Sequence, residues 1–206
     1  MKLQKESKKQ SVFLIVFLMI FTCPEYSKAQ KFEAGVLSGC SINKINGLIN
    51  SGFFRLGVQG GIFASASIGK NSFLRIEVKY SQKGNNSIPY NSQDFNIYSQ
   101  YMEASLLFGY SISRNIYTIS GLSYGYLFSY KETIGDQEYP AYLKTMSKFD
   151  YSGVVGLGYH ISKNLSVEAR YSNSLFPIDK YSVKSGYITG NLYNCALIGL
   201  LVYKFS

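Results

Sequence analysis

The chain of 206 residues contains no Trp, one His, three Cys and four Pro, and only 16% of it is charged. Each shortage excludes something. Three Cys without a CxxC pair exclude a disulfide-dense miniprotein and a zinc ribbon. One His among scattered carboxylates supplies no metal-ligand cluster, so neither metal nor cofactor is expected. The low charge excludes the composition of a disordered chain, and the helix-forming composition of a bundle or coiled coil is missing too. What the chain has instead is 19 Tyr, 14 Phe and 19 Gly. Rich in aromatics and glycine and poor in charge and proline, it reads as an all-β protein.

The first 29 residues differ from the rest. Lys2, Lys5, Lys8 and Lys9 precede an unbroken apolar run from Val12 to Phe21, and a polar stretch ends in Ser27-Lys28-Ala29. That three-part layout is a secretory signal peptide cut after Ala29, leaving a domain of residues 30–206. The run is too short for a membrane-spanning helix, which needs about 20 apolar residues. Lipidation at Cys23 is the weaker alternative, because Phe21-Thr22 precede it. Removing five Lys with Glu6 and Glu25 lowers the net charge from +9 to +6. The remaining cations are scattered, and an exported chain seldom meets nucleic acid, so no nucleic-acid partner is expected.

After the leader the hydrophobic period is two throughout. Leu74, Ile76, Val78 and Tyr80 alternate with Arg75, Glu77, Lys79 and Ser81; Leu165, Val167, Ala169 and Tyr171 alternate with Ser166, Glu168, Arg170 and Ser172. The stretch Leu56–Ile68 alternates in the same way, and further segments begin near Lys31, Tyr98, Ile116, Phe149 and Asn191, making eight strands. Most are long enough for a tilted membrane-spanning strand of roughly 9–11 residues. Three connections are tight: Gly69-Lys70-Asn71, Ser113-Arg114-Asn115 and Ser162-Lys163-Asn164, each following an Ile. Asn accepts the left-handed backbone that a tight hairpin demands. The other four, at about 43–53, 84–97, 131–148 and 173–190, are long and hold Pro89, Pro140 and Pro177. Short turns at one end and long loops at the other predict an eight-stranded antiparallel up-and-down transmembrane barrel, with periplasmic turns and extracellular loops.

Alternation leaves open which face is inside, since a soluble lipocalin-like barrel alternates too. Side-chain volume favours the membrane. Phe149, Tyr151, Val155, Leu157 and Tyr159 oppose Asp150, Ser152, Gly156, Gly158 and His160. A lumen of eight strands is just wide enough for side chains to fill, so the small and polar face belongs inside and the aromatic face against lipid. Tyr80, Tyr151, Tyr171 and Tyr193 near the loops, and Tyr110, Tyr159, Tyr203 and Phe205 near the turns, then form interfacial girdles. Gly156 and Gly158 read as clearance for the lumen; without a strand-to-helix context they are no phosphate loop.

Several motifs in order resemble the PorT-like outer-membrane β-barrel proteins, similar in size to OmpA- and OmpX-type barrels. They are Tyr80-Ser81-Gln82-Lys83-Gly84, Tyr101-Met102-Glu103, Gly156-Leu157-Gly158-Tyr159, Glu168-Ala169-Arg170-Tyr171-Ser172 and the ending Tyr203-Lys204-Phe205. Ala104-Ser105 stand where the family often has Pro, and Ser206 follows the terminal aromatic. The resemblance implies an outer-membrane barrel whose last strand, with Tyr203 and Phe205, is read by the barrel-assembly machinery. It implies little about activity, since the secretion role of the name-giving member does not transfer on fold alone.

The inward charges predicted by alternation are Arg75, Glu77, Lys79, Glu103, Asp150, Glu168 and Arg170. Buried charges must be paired or hydrated, so they form either a salt-bridge network closing the lumen or a selective ion path. His160 has no motif-fixed partner and reads as a lumen or rim residue rather than a catalytic base. The long loops, with Tyr90, Phe95, Tyr139, Tyr142, Phe176, Tyr181 and Tyr187, suit contact with a protein or glycan, or with one another. Cys40 on the first strand and Cys195 on the last could sit at similar depth; export permits a disulfide between them, and two free lipid-facing thiols are the other reading. The expectation is a monomeric, non-enzymatic outer-membrane barrel with a structural or surface-interaction role. The alternatives are a narrow pore, an accessory to a secretion or surface-assembly machine, and a soluble exported barrel.

Overall fold

A computed structural model describes residues 32–48, 55–86, 95–134, 137–138, 146–178 and 188–205. The expected signal peptide, and with it Ala29 and Cys23, lies outside these residues, as do Tyr90, Tyr139, Tyr142, Tyr181 and Tyr187 of the expected loops.

The strands are β1 (Phe32–Leu48), β2 (Arg55–Ser67), β3 (Ser72–Asn86), β4 (Phe95–Ser111), β5 (Ile116–Ile134), the two-residue β6 (Gln137–Glu138), β7 (Phe149–His160), β8 (Leu165–Ser174) and β9 (Ile188–Lys204). Every pairing is antiparallel, and apart from the closing β1–β9 pair each joins neighbours in the chain, except that the short β6 pairs only with the end of β5, so β5 also pairs with β7. Pairing of β1 with β9 closes the sheet into an eight-stranded barrel. Closure leaves no strand edge, which a wall standing in lipid requires because nothing there can satisfy a free backbone group.

The recurring turn sequence makes one recurring turn. Ile68, Ile112 and Ile161 donate their backbone N–H to the carbonyls of Ser72, Ile116 and Leu165, at 3.0, 2.9 and 2.9 Å. In two of the three turns the Ser side chain accepts a further backbone N–H, Ile116 to Ser113 Oγ at 3.2 Å and Leu165 to Ser162 Oγ at 3.1 Å. At the opposite end the strands run further than the alternation suggests. β1 continues to Leu48, β3 to Asn86 and β5 to Ile134, and β4 begins at Phe95, a residue expected in a loop. The reason lies on the inner face: there the buried positions are partly polar, Asn43 and Asn85 beside Ile45, so the strand persists where the hydrophobic alternation is broken. Glycines at positive φ, Gly47 and Gly84, mark this loop-end region, and the β1–β9 register shifts between Asn46 and Leu48.

The outer wall carries the bulky face, as volume predicts: Leu56, Ile62, Ile76, Leu106, Leu122, Leu157 and Leu201 are each more than half exposed. The girdle residues Tyr110, Tyr151, Tyr159, Tyr171, Tyr203 and Phe205 are exposed as well. The inner face departs from the expectation of small and polar residues only. Tyr101, Tyr117, Phe63, Leu107 and Ile119 are buried in it. Glycines opposite make the room: a Cβ on Gly158 would lie 2.1 Å from Tyr117 Cζ, and one on Gly109 2.0 Å from Phe73 Cζ.

The disulfide between Cys40 and Cys195 is not formed. Cys40 pairs across the seam with Gly199, and Cys195 with Lys44. The two thiols are therefore four residues apart along the strands, about 13 Å at the usual rise, whereas a disulfide needs Cα atoms within about 7 Å. Both cysteines are free, with Cys40 exposed on the outer wall. Of the two readings the free thiols hold; counting along two strands leaves the register open, because barrel stagger, not distance from the chain end, sets which residues face each other.

Candidate functional site

Alternation along β3 carries one row of side chains into the lumen, from Phe73 beside the turn through Arg75, Glu77, Lys79, Ser81 and Lys83 to Asn85. All seven expected lumen charges, Arg75, Glu77, Lys79, Glu103, Asp150, Glu168 and Arg170, are buried there. They form two clusters, one above the other.

The lower cluster spans the lumen from β3 to β8. Arg170 holds Glu77 in a bidentate pair, Nη1 to Oε2 and Nη2 to Oε1, both at 2.7 Å. Arg75 Nη1 crosses to Glu168 Oε1 at 2.6 Å. Glu168 also accepts from Tyr117 Oη at 2.5 Å and from Arg170 Nε at 2.7 Å, and pairs with Arg170 Nη2. Paired forks of this kind fix geometry as well as charge. The guanidinium of Arg75 lies 4.8 Å from the Phe63 ring centre and 5.1 Å from that of Phe73, so its flanks are packed by aromatic rings. Gly156 faces Arg170 and Gly158 faces Glu168 across the β7–β8 pair, leaving space beside each charge.

The upper cluster joins β3, β4 and β7. Lys79 and Glu103 are register partners, with Nζ 2.9 Å from Oε2. Lys83 lies 2.7 Å from Glu103 Oε1 and 3.0 Å from Asp150 Oδ2. Asp150 further accepts from Asn194 Nδ2 at 2.9 Å, Ser174 Oγ at 2.7 Å and Ser152 Oγ at 3.1 Å. Gln59 Oε1 accepts from Lys79 Nζ at 2.7 Å. Gly125 is the partner of both Glu103 and Asp150, again a missing side chain beside two charges.

Lys83, Tyr117, Gln59 and Asn194 are members that the sequence reading missed. Lys83 was within reach, since the alternation from Arg75 through Lys79 continues unbroken to it. Tyr117 carried no such signal, because only the three-dimensional gap over Gly158 admits a ring.

Apolar layers bound the clusters. Toward the loops, Ile45, Ile97, Leu192 and the fully buried Ile178 form a cap, with Tyr130 and Met146 packed on it. Ile178 follows β8 and is pinned by backbone bonds: its N–H donates to Leu192 at 2.9 Å, and its carbonyl accepts from Ser147 at 2.6 Å. Beside the lower cluster, Leu37, Phe63, Ala196, Ile198, Leu200 and Val202 form one apolar patch, and Leu107, Ile119 and Val154 a second.

His160 sits at the turn end of β7, its ring 4.7 Å from that of Tyr117 and its Nδ1 2.8 Å from Ser166 Oγ. No carboxylate among the described residues hydrogen-bonds this imidazole. Tyr203 and Phe205, the candidate assembly signal, stand exposed at the end of β9 with ring centres 6.2 Å apart.

Comparison with known proteins agrees with this geometry. A family model described as "Outer membrane protein beta-barrel domain" matches residues 27–180. Among curated proteins none matches the chain. Of solved structures, Neisserial surface protein A (NspA) is 18% identical, with a TM-score of 0.51 over 86% of this chain and 100% of that one. Ail of Yersinia pestis, solved with the heparin analogue sucrose octasulfate, is 11% identical with a TM-score of 0.48, covering 85% and 99% of the two chains. OprG of Pseudomonas aeruginosa is 13% identical with a TM-score of 0.38, covering 84% and 94%. With its apolar outer wall, its polar interior and a family match over more than half its length, the chain belongs to the outer membrane protein β-barrel domain family and is a barrel of the bacterial outer membrane.

Proposed function

We propose that the protein is a non-catalytic, monomeric surface barrel whose lumen is a plug, so that its work is done by the loops above the membrane. The observation that carries this reading is the charge balance of each cluster taken separately. Arg75 and Arg170 offset Glu77 and Glu168 below; Lys79 and Lys83 offset Glu103 and Asp150 above. An ion-selective ring needs an excess of one sign, and neither cluster has it. The cap around Ile178 supports the same reading, since it lays an apolar layer across the upper lumen.

Absence of catalysis is supported at His160. Its nearest hydroxyl, Ser166, is itself buried on the inner wall, and no acid orients the ring as a working triad requires. The loop partner is a protein or glycan, a reading supported by the aromatic content of the loops. The motifs ending in Tyr203-Lys204-Phe205 support a PorT-like affiliation and recognition by the barrel-assembly machinery, and Ser27-Lys28-Ala29 supports removal of the signal peptide before Gln30.

Planar-bilayer recording from the purified barrel tests the plug. The expected result is no stable conductance; steady single-channel currents would replace this reading with that of a narrow pore.

A further inference from the structure

The plug makes no use of the repeated turn. Each of the three turns places an exposed Ile last on the outer face, Ile68, Ile112 and Ile161, and a cation two residues later, Lys70, Arg114 and Lys163. Charge around the barrel is segregated. Glu33, Glu77, Glu103, Asp150 and Glu168, the acids whose side chains are described, are all ion-paired: Glu33 with Lys204 at 2.9 Å and the other four inside the lumen. The three turn cations have no ion-pair partner among the described residues.

Two of these turns are neighbours, because β5 pairs with β7. The His160 N–H donates to the Asn115 carbonyl at 2.8 Å, tying the two together. The end of β9 joins them, with the Lys204 N–H donating to the Asn164 carbonyl at 2.8 Å and Asn164 Nδ2 donating to the Lys204 carbonyl at 2.9 Å. Between them lies a cavity of about 390 Å³, lined by Arg114, Asn115, His160, Ile161, Lys163 and Lys204 among others. Lys70, in the remaining turn, does not line it.

We infer that this cavity binds the phosphate of an anionic phospholipid from the periplasmic leaflet. The cavity sits on the rim where the apolar wall ends, and Ile161 belongs both to its lining and to the outer face. A lipid whose chains lie along Tyr159 and Ile161 brings its headgroup to the level of Arg114 and Lys163. That continuity favours a lipid over free phosphate. Preference for an anionic headgroup follows from charge: no carboxylate lines the cavity, and of its three cations Lys204 pairs with Glu33 while Arg114 and Lys163 have no ion-pair partner among the described residues. Each basic side chain at a membrane surface contributes roughly 1 kcal/mol toward anionic lipid, so losing two costs about 30-fold in binding.

The full barrel is refolded into nanodiscs of equal parts phosphatidylglycerol and phosphatidylcholine, and retained lipid is identified by native mass spectrometry. The wild type is expected to retain phosphatidylglycerol several-fold over phosphatidylcholine. The double variant Arg114→Gln/Lys163→Gln loses that preference, while Lys70→Gln keeps it. Heat-modifiable migration on gels verifies that every variant is folded. Equal retention of the two lipids by the wild type, or an unchanged preference in the double variant, overturns the site. A third arm titrates inorganic phosphate into the barrel in zwitterionic detergent and follows the His160 ring resonances. Weak, millimolar binding agrees with a lipid site; micromolar binding of free phosphate overturns the lipid assignment.

Discussion

Glu103 shows how much rests on single residues in a lumen this narrow. It is the one carboxylate shared by Lys79 and Lys83, at 2.9 and 2.7 Å. Glu103→Ala leaves two buried ammonium groups with Asp150 as their only acid. Breaking a buried pair by removing one partner costs about 3–5 kcal/mol, most of it for the orphaned charge. Urea unfolding in detergent micelles should register a loss of that order, while vesicles holding the variant stay as tight to small solutes as those holding the wild type. Gly158 is the counterpart among residues without a side chain. Gly158→Ala drives a methyl into the Tyr117 ring, and overpacking of this kind costs about 1–3 kcal/mol. In combination with Tyr117→Ala the penalty should shrink, because the clash partner is gone, and a double-mutant cycle on unfolding free energies reads that coupling. Of these two residues the sequence exposed Glu103 fully, through period-two alternation. It exposed Gly158 only as an unspecified need for room, because the ring that needs the room arrives from another strand.

At the scale of the element, β9 is distinctive. Its inner positions Leu192, Ala196, Ile198, Leu200 and Val202 are buried and apolar, and its outer positions Leu197, Leu201 and Tyr203 are apolar as well. From Ala196 to Tyr203, beyond the inward Asn194, the strand is apolar on both faces and has no polar face to hold it in water before closure, in keeping with the proposed hand-over to an assembly machine. Phe205→Ala is expected to slow insertion relative to Phe176→Ala, an exposed aromatic lying after β8 and outside every strand. The measurement is the time course of heat-modifiable, folded protein appearing in membranes; equal time courses for the two variants would remove Phe205 from the signal. Strand ends were the least legible elements. The three turns follow from Ile-[Gly/Ser]-[Lys/Arg]-Asn, because a two-strand reversal has few backbone solutions. The loop-side ends of β1, β3 and β5 do not, because polar residues such as Asn43 and Asn85 occupy the buried inner face there, so the strand is held by its neighbours' hydrogen bonds and not by its own pattern.

For the whole molecule, the decisive feature is that charge is sorted by side. The carboxylates whose side chains are described are paired, most of them inside the barrel, and the turn cations Lys70, Arg114 and Lys163, without an ion-pair partner among the described residues, stand at the turn-end rim. Buried pairs are screened far less by salt than exposed ones. Thermal unfolding of the barrel in non-ionic detergent should therefore move little between 10-millimolar and molar salt, on the order of a few degrees at most. A steep fall in melting temperature with salt would mean that the clusters are open to solvent. Retention of anionic lipid at the turn end should, in contrast, weaken over the same range, since those cations are exposed.

Local rules on the chain alone determined the class of the molecule: eight alternating strands, three tight turns, an aromatic outer face and a row of inward charges. These follow from nearest-neighbour chemistry, side-chain parity and backbone freedom, which any stretch of sequence displays. Only the tertiary structure decided who meets whom. It placed Cys40 four residues from Cys195 across the seam, split one set of lumen charges into two neutral clusters, brought Lys83 and Tyr117 into them, and seated Ile178 across the lumen. The physical reason is that a barrel's closure and stagger are properties of all eight strands together, so contacts across the lumen belong to no single segment.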